Sequence, residues 1–409
     1  MKDRKKRLKI AIFHLAFFYS GGGEKLVLEE MKGLAKRGHE VTCFTPVIEK
    51  KLCYPDMIDK FNIKTIFPKL PKILPDQASL EILLTCMLFP LVARRFRDFD
   101  VVLGAGQPGI WFGWLVKKMT GVGYVIYSSQ PTRVLYPRKI DKATGIWVKR
   151  QSRLPRVLEW LRPLVGWADK VSIRDGDEML ASGEYISRVL KKIYGRENIV
   201  CPPGAYPVKK ISRNRWAGAI KINGYTITKP YILITNRHFP QKKFEYAIKA
   251  MPEILKRVAG VSLVITGNRT EYTKELDKLM RKLGLEGKVL LSGLVKEKDM
   301  QKLYQQAVVY AYTSPEEDFG MGVIEAMAAG VPVVAWDKGG PATTIIDRKT
   351  GYLVKPYNQA EFASKLTDLI INKKENLLMG RQAVNHVKKN FTYDNNINIL
   401  EKVLLKVAK

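Results

Sequence analysis

The stretch Ser314-Pro315-Glu316-Glu317-Asp318-Phe319-Gly320-Met321-Gly322-Val323-Ile324-Glu325-Ala326-Met327-Ala328-Ala329-Gly330-Val331-Pro332-Val333-Val334-Ala335 decides the fold. Before it lies Val308–Tyr312, a short apolar run with the composition of a buried strand. Pro315 and Gly320 mark a turn, and a helix is expected from about Met321. Gly330-Val331-Pro332 then leads into a second apolar strand, Val331–Ala335. Strand, turn, helix and strand form the repeating unit of a parallel sheet covered by helices. The turn leaves backbone N–H groups free at a helix N-terminus, which favours an anion. Glu317 and Glu325 flank that turn. Carboxylates do not bind phosphate, but they can hold sugar and ribose hydroxyls on either side of one.

The same rhythm extends outward. Leu8–Phe13, Glu40–Thr45, Val101–Leu103 and Tyr124–Tyr127 read as short strands. Glu24–Arg37 reads as a helix, with Val27, Met31 and Leu34 on one face and a stop at Gly38. The rhythm breaks over Pro202–Asn223, where prolines and a basic run read as a linker. It resumes with strands Tyr231–Thr235, Val261–Thr266 and Val289–Ser292, and helices Glu245–Arg257 and Glu271–Leu283. The expected fold is therefore α/β, with two doubly wound Rossmann-like domains. The first spans 1–205, a linker spans 206–223, and the second spans 224–385. The remainder, 386–409, is expected as a helix packing back on the first domain. Ligands of such sheets bind at the carboxyl ends of the strands, so an interdomain cleft is the expected site.

Bulk composition agrees. At 409 residues the chain suits two domains, and 46% hydrophobic content supplies packed cores rather than disorder. The formal charge of +31 points to anionic partners. The four cysteines form no CxxC and no zinc spacing, which suits a reduced, cytoplasmic chain. Ile10–Phe18 follows a basic start, but His14 interrupts it and Gly21-Gly22-Gly23 follows, so a strand is expected there rather than a cleaved signal. Leu80–Ala93 is short for a bilayer span and carries Glu81 and Pro90, so no transmembrane helix is expected.

Two further motifs carry chemistry. Asn236-Arg237-His238-Phe239-Pro240-Gln241-Lys242-Lys243 directly follows a strand, and cations at the carboxyl end of a strand suit a diphosphate. Ser20-Gly21-Gly22-Gly23-Glu24 is a glycine-rich turn that lets backbone approach phosphate. It is not GxGxxG, and no acidic ribose partner follows strand two, which argues against a dinucleotide oxidoreductase. Asp175-Gly176-Asp177 reads as a turn or cap rather than a metal site.

These residues resemble glycosyltransferase family 4, whose hallmark is Glu-x7-Glu with Phe-Gly between, preceded by Arg-x4-Lys and, near the N-terminus, Gly-Gly-x-Glu. The resemblance runs over nearly the whole chain. It also takes in Arg37–Thr42, Ala168–Tyr185, Tyr194-Gly195-Arg196, Gly339-Gly340-Pro341, Thr350-Gly351 and Phe391-Thr392-Tyr393. Within the family the chain looks most like mannosyltransferases of lipid-linked oligosaccharide and cell-surface glycan assembly. The resemblance implies the retaining, metal-independent GT-B type. Glu317, Arg237 and Lys242 would be catalytic, with Glu317 on the transferred sugar. Gly21, Gly22, Phe319, Gly320, Met321, Gly322 and Glu325 would bind the donor, with Glu325 on its ribose. Glu24, His14, Ser129 and Arg133 are acceptor-side candidates. One departure stands out: the family often has Tyr-x-His-x-Pro where this chain reads Tyr127-Ser128-Ser129-Gln130-Pro131. A hydroxyl at Ser129 cannot take up charge as imidazole does.

No cofactor is expected beyond a nucleotide-sugar donor, with GDP-mannose favoured and a UDP-sugar the other option. The expected acceptor is lipid-linked or a glycan. Arg133–Trp167 interleaves Arg138, Lys139, Lys142, Lys149, Arg150, Arg153, Arg156 and Arg162 with Trp147, Trp160 and Trp167. That mixture favours an anionic membrane surface, with Leu80–Val92 adding to it, and a peripheral cytoplasmic location. His39 reads as structural and His386 as a surface helix residue. The rival reading from charge alone is a polyanion-binding protein with an inactive glycosyltransferase-like fold. It predicts salt-steep binding of any polynucleotide, whereas no specific nucleic acid is expected here.

Overall fold

A computed structural model describes residues 6–70, 77–145 and 155–408. They divide into two units. One gathers the described residues within 1–137, 147–204 and 393–409, the other those within 138–146 and 205–392.

The first unit is built on seven parallel strands: β1 (Lys9–His14), β2 (Glu40–Thr45), β3 (Ile63–Thr65), β4 (Val101–Ala105), β5 (Gly123–Ser128), β6 (Glu178–Ala181) and β7 (Ile199–Val200). Their order is β3-β2-β1-β4-β5-β6-β7. The stretch that begins like a signal sequence is thus a central strand, paired on both sides. Its residues Ile10 to Phe13 are fully buried, as a strand with helices on both faces requires. The helices are α1 (Gly22–Lys36), α2 (Gln77–Val92), α3 (Gly109–Thr120), α4 (Lys139–Thr144), α5 (Pro155–Arg174) and α6 (Glu184–Tyr194). All but α4 belong to this unit; α4 packs with the second.

The second unit has six parallel strands: β10 (Tyr231–Thr235), β11 (Ser262–Thr266), β12 (Val289–Gly293), β13 (Val309–Tyr312), β14 (Val333–Trp336) and β15 (Gly351–Val354), in the order β12-β11-β10-β13-β14-β15. A hairpin, β8 (Ala219–Ile222) with β9 (Tyr225–Thr228), precedes them. The helices are α7 (Phe244–Arg257), α8 (Glu271–Lys282), α9 (Glu297–Gln306), α10 (Met321–Ala328), α11 (Pro341–Thr344), α12 (Gln359–Ile371) and α13 (Lys373–Asn390). The last helix, α14 (Tyr393–Val407), returns to the first unit. It lies so close to α1 that a Cβ on Gly33 would meet Ile397 at 2.5 Å. Arg37 and the ring of His39 both reach Glu401, at 2.6 and 3.0 Å, while the Leu8 N–H donates to His39 Nδ1 at 3.1 Å. His39 is therefore held on both nitrogens inside the fold.

Several boundaries differ from the sequence expectation. The segment that returns to the first unit starts at Tyr393, because 386–390 belong to α13 and its Val387 is in the second unit's core. The linker 206–223 carries Arg215, wholly buried, which donates to the carbonyls of Gln305, Ala329 and Gly330. His386 is half-buried, its Nε2 3.1 Å from the Thr344 carbonyl.

The apolar stretch expected to be short is longer. With a 3-10 turn at Ala93–Phe96, α2 makes a helical run of 20 residues, Gln77–Phe96, with mean hydropathy 1.3, long and apolar enough by length and composition to cross a bilayer. Pro90 does not break it. Only 28% of its most apolar window is buried. One face packs into the unit through Phe89, Ala93 and Phe96, with Phe89 stacked on Phe112 at 4.4 Å. Glu81 is buried and accepts hydrogen bonds from Gln77 and the Leu70 N–H. The opposite face exposes Met87 (66%), Leu88 and Leu91 (80%).

Candidate functional site

In the second unit, β10 and β13 are neighbours, so the loops leaving their carboxyl ends lie side by side. The β10 loop contains Arg237 and a 3-10 turn, Pro240–Lys242. The β13 loop runs from Thr313 to Gly320, the N-cap of α10. Thr313 Oγ1 donates to the Lys242 carbonyl at 2.8 Å and ties the loops together. Lys242 Nζ then meets Glu317 Oε2 at 2.5 Å, with both side chains largely shielded. Arg237 stacks over Phe239, 5.1 Å from its ring centre.

Burial alone would push the Glu317 carboxyl up. The opposing charges of Lys242 and Arg138, with hydrogen bonds from Lys242 and Tyr312, instead hold it at about 2. Burial lowers the Lys242 ammonium, and Glu317 works against that. The Glu317 carboxylate is ionised at neutral pH.

Glu325 sits one turn into α10, where it accepts a hydrogen bond from Tyr304 Oη at 2.8 Å. That phenol also meets Thr235 Oγ1 at 2.8 Å, and Thr235 meets Tyr310 Oη at 2.8 Å. A polar network beneath the helix start thus fixes Glu325. It also explains Gly322, since a Cβ there would meet Tyr310 Oη at 2.2 Å. Gly320 has φ +91°, a backbone region that favours glycine. From the other side the Gly340 N–H donates to the Glu317 carbonyl at 2.7 Å, and a Cβ on Gly340 would meet Phe319 Cα at 2.5 Å. Phe319, Gly320, Met321 and Gly322 thus form a helix start whose first N–H groups have no partner within the helix. Among the described residues the structure brings together Arg237, Lys242, Glu317, Glu325 and 319–322.

Sequence reading missed the supporting set: Thr235, Tyr304, Tyr310 and Tyr312, which looked like strand and helix core. It also assigned Arg138 to a membrane face. Arg138 is instead largely buried and donates to the Glu316 carbonyl at 2.9 Å and to the Asp141 carboxylate. Arg133, too, is buried, with Nη1 3.4 Å from the Tyr136 carbonyl. The basic face expected over Arg133–Trp167 is therefore not continuous: two of its arginines serve internal contacts. Trp147, Lys149, Arg150 and Arg153 lie outside the described residues. Trp167 is half exposed, against the stacked pair Trp111 and Trp114.

In the first unit, Gly21 caps α1, and Gly22 already lies in its first turn rather than in a loop. The Glu24 carboxylate is turned in: a Cβ on Gly21 would meet its Oε2 at 2.5 Å. His14 and Ser129 lie at the carboxyl edge of the sheet, at the end of β1 and just past β5. His14 Nδ1 is 3.3 Å from the Ala105 carbonyl, while its buried Nε2 has no hydrogen bond among the described residues. Burial lowers its pKa to about 4, against the Ala105 contact, so the ring is neutral at pH 7. With Nδ1–H donating to that carbonyl, Nε2 is a lone-pair acceptor.

Comparison with known proteins identifies the family. Residues 20–205 match the profile of Glycosyltransferase Family 4, and residues 220–386 that of Glycosyl transferases group 1. The chain is similar to an alpha-1,3/1,6-mannosyltransferase of Dictyostelium discoideum, 24% identical over 448 residues, covering 99% of this chain and 100% of the relative. It is 30% identical over 227 residues to a D-inositol 3-phosphate glycosyltransferase of Nocardia farcinica; that match takes in 53% of this chain and spans half, 50%, of the relative. In fold it is similar to HepE of Anabaena, solved with UDP and glucose, at TM-score 0.73 and 16% identity, over 98% of this chain and 100% of that one. The two profiles between them take in most of both sheets, and the chain belongs to the GT-B glycosyltransferases, family 4 in its N-terminal part and group 1 in its C-terminal part.

Proposed function

We propose that this glycosyltransferase moves mannose, with retention, from GDP-mannose to a lipid-linked glycan acceptor at a membrane surface. The observation that carries the reading is the Lys242–Glu317 pair beside Arg237 and the start of α10. Breaking a sugar–diphosphate bond leaves positive charge on the sugar and negative charge on the leaving group. Arg237, Lys242 and the amides of 319–322 supply preorganised positive charge for the diphosphate, the kind of contribution that dominates many rate enhancements. They meet that need without a metal ion. Glu317 accepts hydrogen bonds from the sugar and Glu325 from the ribose. The acceptor oxygen attacks the anomeric carbon from the face the diphosphate leaves, and its proton passes to the departing phosphate oxygen. His14, Ser129, Glu24 and Arg133 belong to the unit that takes the acceptor.

Mannose follows from the likeness to a mannosyltransferase over the full length of both chains. The membrane surface is supported by α2, whose exposed Met87, Leu88 and Leu91 precede the exposed Arg94, Arg95 and Arg97. An apolar face edged by arginines suits the headgroup boundary of an anionic bilayer, with the protein peripheral on the cytoplasmic side.

The test is nucleotide release with anionic liposomes and lipid extract, comparing GDP-mannose, UDP-glucose and UDP-N-acetylglucosamine, with EDTA present and with Glu317→Ala alongside. GDP release that survives EDTA and is lost in the variant is expected. Release from a UDP-sugar alone would overturn the donor. The absence of both release and donor binding would overturn the reading itself.

A further inference from the structure

The chain leaves the first unit at Pro137, lays 138–145 on the second, and belongs to the first again in α5. What this excursion touches is specific. Arg138 Nη1 donates to the main-chain carbonyl of Glu316 at 2.9 Å, one residue before Glu317. In return, the Ile140 N–H at the start of α4 donates to the Glu316 carboxylate at 3.0 Å. Arg138 is itself held by Asp141, through Nε at 2.9 Å and Nη2 at 2.8 Å. Asp141 is 1% exposed and Glu316 8%. On the far side, Lys338 reaches Glu316 Oε1 at 3.3 Å, and the Gly340 N–H grips the Glu317 carbonyl.

We infer that Arg138, braced by Asp141, is a positioning residue for Glu317: it clasps the loop that presents this carboxylate to the donor sugar. The inference rests on the functional reading above. The geometry favours positioning over direct contact with diphosphate, since Nε and one N–H each of Nη1 and Nη2 are already committed to Asp141 and Glu316. Two fixed ends, the clasp and the Gly340 contact, leave the Glu317 backbone little freedom. A fork of this kind exploits the planar guanidinium, which the lysine ammonium cannot copy. Its charge is also among those that keep Glu317 ionised in a buried place.

The consequence is a split between sugar and nucleotide. Arg237, the helix amides and Glu325 are not held by the clasp, so loss of Arg138 should misplace Glu317 while leaving the nucleotide's own contacts. Misplacing a reacting group by an ångström costs on the order of a hundredfold in rate. Arg138→Ala is therefore expected to lower kcat for nucleotide release by about tenfold to a hundredfold. The Kd for the free nucleoside diphosphate, GDP or UDP, should stay within about twofold, as expected when contacts to it are untouched. Arg138→Lys should restore little. Hydrogen exchange should quicken in peptides covering 313–318 and not across β10 or β14. If Arg138→Ala does not fold, Asp141→Asn weakens the brace with the guanidinium kept, and the same split is expected. Unchanged kcat, or nucleotide affinity lost in step with kcat, overturns the inference, as does unchanged exchange at 313–318. If the wild type releases no nucleotide, the functional reading fails, and the exchange measurement alone decides the clasp.

Discussion

Replacing Lys242 by methionine removes the charge that most strongly opposes burial at Glu317 while filling similar volume. The fall of the Glu317 carboxyl from 4.5 to about 2 sets the scale. At about 1.36 kcal/mol per pH unit, it corresponds to about 3 kcal/mol. The sign follows from a depressed acid: this stability is fully present above pH 4.5 and is lost as pH falls through about 2. The figure is a ceiling for the pair, because burial lowers the Lys242 ammonium at the same time and returns part of it. In Lys242→Met the carboxyl keeps Arg138 and Tyr312 but loses its main partner, so its pKa rises toward the unfolded value and the stability lost on acidification shrinks. Urea melts from pH 3 to 7 should show this, with Glu317→Gln lacking the acid-dependent component. Turnover should fall by roughly a hundredfold to a thousandfold, the usual effect of removing one preorganised donor from developing negative charge. Turnover within threefold of wild type, with an unchanged acid limb, would refute the assignment of Lys242 to the leaving diphosphate.

Three further outcomes are expected. Gly340→Ala places a Cβ 2.5 Å from Phe319 Cα and against the carbonyls of Asp318 and Phe319, all backbone, so the loop must move; kcat should fall at least tenfold, read by nucleotide release, with the second unit still folded by circular dichroism. Glu30 is wholly buried and its pKa is pushed up to about 8, first by burial; among the described residues neither oxygen makes a hydrogen bond of normal geometry, though the Asn396 amide lies near enough to favour ionisation. A raised acid binds its proton in the folded state where the unfolded chain has lost it, so wild-type stability should decline from pH 4.5 to about 8, by up to about 3 kcal/mol at pH 7, and Glu30→Gln should flatten that slope in urea melts. Met87→Glu with Leu91→Glu should weaken flotation with anionic vesicles more than tenfold, since each apolar side chain is worth about 1.5–3 kcal/mol on burial. Turnover on a short soluble acceptor should stay near wild type, because α2 contributes none of the candidate site residues.

What the sequence made legible, and what it did not, divides along a physical line. The strand–turn–helix unit around Glu317 could be read because each part has a local cause: an unbroken apolar strand, a glycine that permits φ +91°, and a helix that starts where backbone donors are left free. Arg237, Lys242 and Glu317 could be placed together because parallel neighbours put their carboxyl ends on one edge. The tyrosines 304, 310 and 312 could not, since an aromatic residue in a strand or on a helix face looks the same whether its hydroxyl is idle or holds a catalytic carboxylate. Short strands failed for a similar reason: two to four residues at β3, β6, β7 and β15 carry too few positions for a period to emerge. The deepest miss is Arg138. In a chain of charge +31 a basic stretch reads as a solvated or membrane face, and nothing local separates one arginine from its neighbours. The only signal lay three residues on, in Asp141, an acid spaced to receive a guanidinium fork. Its other partner, the Glu316 backbone, is 178 residues distant in sequence and visible only in three dimensions. A charge surplus thus hides the arginines that work inside the fold, and an acidic residue set among basic ones is the better guide to where a cation turns inward.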